Sequence, residues 1–121
     1  LGTDGAASNN GLDMRAEAKA ASLIQRHDHW DATILDPVET WQLATRGSSD
    51  WVTWDLSDIR MRPRGRGGRR ILSNLIYSGA QCVDVFVDGI AIRRGGRTLT
   101  LNEGKVAQEL EDAAQEYYSE I

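Results

Sequence analysis

The chain has 121 residues, of which 40% are hydrophobic and 26% charged, and a formal net charge of −4 at pH 7. This length fits one domain better than two, and the composition is that of a globular chain rather than a disordered or membrane-embedded one. No run approaches the ~18 apolar residues that cross a bilayer, no basic-then-apolar leader opens the chain, and a single cysteine, Cys82, gives no internal disulfide framework, so a cytoplasmic setting is expected.

Residues 1–13 are dominated by small and polar types, which predicts a disordered lead or a remnant foreign to the native chain, with Met14 a candidate first residue. Residues 14–121 are expected to form a single α+β domain. Asp13 is a plausible N-cap. After it Ala16, Ala20, Leu23, Ile24, His27 and Trp30 recur at helical spacing, predicting a helix over 14–29. Asp36, Pro37 and Glu39 spell a helix start for 37–46, although Trp41, Leu43 and Thr45 alternate well enough to allow a strand. Alternation over 51–56 puts Val52, Trp54 and Leu56 on one strand face and Trp51 on the other; a second extended piece is expected at 59–62, before Pro63.

The glycine-punctuated stretch 64–68 reads as a loop and 69–78 as a short helix stopped by Gly79. From Cys82 to Leu101, Asp88-Gly89 and Gly95-Gly96 divide three apolar runs into a meander. Asn102 caps a final helix with Val106, Leu110, Ala113, Ala114, Tyr117 and Ile121 as its apolar stripe. The expected architecture is an antiparallel sheet of about four to five strands packed against N- and C-terminal helices.

Charge is divided along the chain. Residues 1–58 carry four bases and ten acids, residues 59–101 nine arginines and two acids, and residues 102–121 one lysine and six acids. Arg60, Arg62, Arg64, Arg66, Arg69 and Arg70 fall within eleven residues, and Arg93, Arg94 and Arg97 flank the second tight turn. Forked guanidinium groups suit phosphate and carboxylate alike. If 60–66 were extended, alternate arginines would project from one side about 6.7 Å apart, close to two phosphate steps of a nucleic-acid strand.

Other constellations are weaker. His27, Asp28, His29, Trp30 and Asp31 form an H-x-H-x-D string that resembles the metal-binding motif of metallo-β-lactamase-like hydrolases over five residues. Ala32 stands where that motif continues with histidine, both histidines of the chain are already used, and on a helix positions two apart diverge by about 200°. Asp84 and Asp88 share a strand face with Phe86 between them, but Asp88 is explained by its turn. Ser73, Ser78 and Cys82 have no base to activate them, and Gly65, Gly67 and Gly68 form no phosphate-binding fingerprint. The sequence therefore predicts a small non-enzymatic module, with no cofactor and no metal, whose nine arginines contact a polyanion, most plausibly nucleic acid. The alternative is a protein-binding or self-associating accessory or inhibitor protein, with the arginines on an acidic surface. Trp51 is a candidate partner contact in either case.

Overall fold

A computed structural model describes residues 1–119 of the chain. The described residues form helices α1 (Met14–Asp28), α2 (Pro37–Thr45), α3 (Gly68–Tyr77) and α4 (Glu103–Ser119), with strands β1 (Trp51–Trp54), β2 (Cys82–Val87), β3 (Ile90–Arg94) and β4 (Arg97–Thr98). The fold is α+β, its four-stranded antiparallel sheet flanked in sequence by N- and C-terminal helices. Two compact units divide the chain: Leu1–Ser48 with Asp55–Gln81, and Ser49–Trp54 with Cys82 onward.

The first unit is helical. Asp13 caps α1 by accepting the backbone N–H of Arg15 and Ala16. Asp36 and Glu39 form a reciprocal capping box with Pro37 in the first turn, which decides residues 37–45 for helix over strand. Before α1, Asn9 Nδ2 donates to Thr3 O at 3.1 Å and to Glu17 Oε1 at 2.7 Å. Residues 59–62 are not extended as expected. Ile59–Met61 is a 3-10 turn, because the Asp58 side chain accepts the N–H of Arg60 and turns the backbone over.

The core of this unit is small: Ala18, Met61, Leu75 and Ile76 are buried, with the polar Ser22 and Thr40 among them. The two hydroxyls are satisfied at one point. The Leu35 carbonyl accepts from Ser22 Oγ (3.1 Å), Arg26 Nη2 (2.9 Å) and Thr40 Oγ1 (2.8 Å), and Ser22 Oγ lies 2.6 Å from the Tyr77 hydroxyl. One carbonyl thus gathers α1, α2 and α3, which is how buried polar groups escape the cost of going unpaired.

The second unit is the sheet and α4. The strands follow in the order β1-β2-β3-β4, all antiparallel, with irregularities between Thr53 and Trp54 and between Val85 and Phe86. The expected meander is present, and its first turn places Asp88 (φ 49°) and Gly89 (φ 77°) in the left-handed conformation of a primed hairpin turn. Strand β4 stops after two residues, so Leu99 and Leu101 lie outside the sheet. Asn102 caps α4 through the N–H of Lys105, as its sequence position suggests.

The apolar stripe of α4 behaves differently from expectation. No residue of the described helix is buried, and Val106, Leu110 and Tyr117 are exposed; Glu120 and Ile121 lie outside the described residues. Periodicity identifies the face that seeks cover but carries no information about what covers it.

Candidate functional site

The arginines separate into the two units and into two kinds. In the first unit, Arg60 grips Asp58 from both sides of its fork (Nε 3.0 Å, Nη2 2.6 Å), and the same carboxylate accepts the Gln81 N–H. The Arg60 guanidinium and backbone N–H hold the Asp58 carboxyl at a pKa of about 2. Arg69 Nη1 reaches Asp36 Oδ2 at 2.5 Å, fastening α3 to the start of α2. The Asp36 carboxyl is lowered first by the Glu39 N–H and also by Arg69. Arg62, Arg64, Arg66 and Arg70 make no ion pair with the described residues. Arg60 belongs to the 3-10 turn, so an extended row of evenly spaced arginines through 60–66 does not form.

In the second unit, Arg93 spans three elements: it donates to Cys82 O (3.4 Å), Thr98 Oγ1 (3.1 Å) and Glu103 Oε1 (3.2 Å). The Thr98 hydroxyl, and after it Arg93, lowers the Glu103 carboxyl. Arg94 lies over the Phe86 ring at 5.7 Å, and Trp51 stacks on Phe86 with centroids 3.8 Å apart and planes 11° from parallel. Trp51 is half exposed and its ring is engaged within the sheet. Arg97 sits at the second turn, opposite Arg94 in the register.

The acids and histidines are accounted for locally. Asp84 Oδ1 accepts the Gly95 N–H at 2.9 Å and Oδ2 the Thr53 hydroxyl at 2.8 Å, the two bonds that lower its carboxyl. Asp88 is a turn residue whose N–H donates to Asp50 Oδ1. The Asp84 carboxylate is thus engaged by Thr53 and Gly95 rather than by Asp88. His27 packs against Trp30 with ring centroids 5.7 Å apart, and His29 Nδ1 lies 3.0 Å from Gln25 O. Burial, the largest influence, pushes the Cys82 thiol up.

A cleft of about 510 Å³ opens in the first unit between Thr33–Leu35, the α2 side chains Glu39, Gln42 and Leu43, and Arg46 just past the end of that helix. Its volume falls within the range of small-molecule sites. Its walls offer an acid, an amide and a guanidinium but no nucleophile paired with a base. Sequence reading missed this cleft, and nothing in the chain marks it, because its walls come from a loop and one helix face with no shared motif.

No family model matches the chain. Comparison with curated proteins finds 5-methylthioadenosine/S-adenosylhomocysteine deaminases. That of Bacillus cytotoxicus (strain DSM 22905 / CIP 110041 / 391-98 / NVH 391-98) is 35% identical over 123 residues, covering 88% of this chain and 28% of the relative. That of Bacillus cereus (strain AH187) is 35% identical over 126 residues with the same coverages. Among solved structures, an adenosine deaminase from Xanthomonas campestris with bound zinc matches at a TM-score of 0.81 and 25% identity, over 95% of this chain and 30% of that one. The chain thus spans about three-tenths of the length of each of these three proteins.

These likenesses correct the functional expectation drawn from the arginines. The relatives and the structural neighbour are enzymes named for small-molecule substrates, which overturns the non-enzymatic module, its nucleic-acid partner and its accessory or inhibitor alternative. The physical reason is visible in the geometry: Arg69 and Arg93 join neighbouring elements and Arg60 closes onto Asp58, the cap of its own turn, so the local excess of guanidinium groups is partly structural. What the chain resembles, over most of its own length, is a part of a deaminase.

Proposed function

We propose that this chain is a portion of a hydrolytic deaminase acting on an adenine nucleoside or 5′-thio derivative of one. In that reaction water adds at the carbon bearing the exocyclic amino group, the carbon–nitrogen bond breaks, and ammonia leaves while the ring keeps the oxygen. The observation that carries this reading is the 35% identity over 88% of the chain to proteins of that activity. A small-molecule substrate replaces the nucleic acid. A cytoplasmic location goes with the same proposal, in keeping with the free thiol of Cys82.

The bound zinc of the Xanthomonas campestris enzyme sets a test that the described residues do not pass. Among them no group of three His, Cys, Asp or Glu side chains is placed to hold a metal. His27 and His29 face Trp30 and Gln25 O, and the Cys82 thiol is pushed away from the thiolate that a metal requires. What the residues do is structural: the Leu35 node sets three helices, and Arg93 sets the turns of the sheet.

The test is ammonia release from 5′-methylthioadenosine, S-adenosylhomocysteine and adenosine by the complete polypeptide carrying these residues, supplied with zinc. Turnover of at least one of the three is expected; none with any of them sinks the reading. The isolated 121 residues, dialysed against zinc and analysed for metal, should retain far less than one ion per chain. Stoichiometric, tightly held zinc would show that a donor set forms after all.

A further inference from the structure

The cleft of the helical unit carries an ordered set of charges along one wall. Glu39, Gln42 and Leu43 follow helical spacing on one face of α2, and Arg46 prolongs that line from the residue just past its end. Seven residues at a rise of about 1.5 Å each set the acid and the base about 10 Å apart. Between them the cleft is lined by Leu43, 48% exposed, and by the half-buried Ile34 and Leu35. The hollow therefore has an anionic end, an apolar middle and a cationic end.

The polar groups are open to a ligand and the walls are set before one arrives. Among the described residues the Arg46 guanidinium and the Gln42 amide have no hydrogen-bond or ion-pair partner, and Glu39 gives only Oε2 to the Asp36 N–H, at 3.0 Å. Leu35 holds a left-handed backbone (φ 48°), and its carbonyl accepts from Ser22, Arg26 and Thr40, which anchors the loop wall to α1 and α2. The charges restrict what fits. An uncharged ligand strips water from Glu39 and Arg46 and returns nothing. A dianion such as phosphate meets a single guanidinium and is repelled by Glu39. A ligand with a cation at one end and a carboxylate at the other satisfies both ends at once.

We propose that this cleft binds an elongated zwitterion of the ω-amino carboxylate class: its ammonium group on Glu39, its carboxylate on Arg46 with the Gln42 amide donating beside it, and its methylene chain along Leu43, Ile34 and Leu35. The site binds and does no chemistry, since no nucleophile paired with a base lines it. The inference does not rest on the deaminase reading.

Titration calorimetry of the complete polypeptide with ω-aminooctanoate tests it, with octanoate and octylamine as probes that carry one charge each. Saturable binding of ω-aminooctanoate, one per chain, is expected, tighter by about tenfold or more than that of either single-charge probe. Two variants locate the site. Both side chains are exposed, and Glu39→Gln keeps an oxygen for the Asp36 N–H, so the fold is retained, which circular dichroism checks. Glu39→Gln should bring ω-aminooctanoate down to the affinity of octanoate, and Arg46→Gln down to that of octylamine. No saturable binding by wild type, equal binding of all three probes, or an affinity for ω-aminooctanoate that neither variant changes overturns the proposal.

Discussion

Asp58 and Arg60 lie two residues apart, and their interaction decides the local backbone. The carboxylate accepts from the Arg60 N–H, from both faces of its guanidinium fork and from the Gln81 N–H, so ionisation is what holds the 3-10 turn and ties it to the strand entry at Gln81. The pKa is depressed from 3.8 to about 2. A depressed carboxylate contributes stability that is fully present above its unfolded pKa and is lost as pH falls through the folded one, here between about pH 4 and pH 2. Urea unfolding of wild type and Asp58→Asn across that window should therefore converge toward pH 2; a difference that persists undiminished at pH 2 would mean that charge is not what the residue supplies. The same pair shows what the sequence concealed. An aspartate two before an arginine reads as a charge pair in any conformation, and only the N–H bond to its side chain turns the expected extended segment into a turn.

At the scale of elements, the signals that survived were the ones backed by a backbone requirement. Asp13 and Asp36 cap where they were expected to, and the Pro37 and Glu39 pattern outweighed the alternation of Trp41, Leu43 and Thr45 because it satisfies orphan N–H groups directly. Gly79 ends α3 for a similar reason. Its φ is +82°, and a Cβ there would stand 2.6 Å from Arg15 Nη1. The guanidinium end can swing away, so the lasting cost of Gly79→Ala is conformational, about 1–2 kcal/mol. Chemical denaturation should show that loss, and adding Arg15→Ala should not restore it; full recovery in the double variant would assign the cost to the clash instead. The Leu35 node was not legible, since a leucine carbonyl leaves no mark in the sequence. Ser22→Ala removes one of its three donors and the partner of the Tyr77 hydroxyl, and should cost about 1–2 kcal/mol in the same measurement.

For the whole molecule, the apolar patterning of the elements pointed to α+β and the structure agrees, while charge pointed to a polyanion and the likeness to deaminases does not. The difference lies in what each quantity measures. Apolar periodicity reports local geometry and survives translation into helices and strands. A run of arginines reports only that cations are near one another in sequence. Here Arg60 and Arg69 are absorbed in the helical unit and Arg93 in the sheet unit, each by an acid that the linear count placed elsewhere. Activity was illegible for a related reason. Among the described residues no three His, Cys, Asp or Glu side chains are grouped to hold a metal, so no metal-binding motif of that kind stood out in the sequence. The proposed activity rests on similarity to longer proteins.

Cys82, the only thiol in the chain, opens β2 directly across from Trp54, and burial holds its proton on. Thiolate is the species that alkylating reagents attack, so iodoacetamide should label this position slowly at neutral pH and progressively faster as the solution is made alkaline. The thiol is half-buried at the start of β2, so the pH at which labelling accelerates, followed by mass spectrometry, reports directly how far its surroundings favour the protonated form.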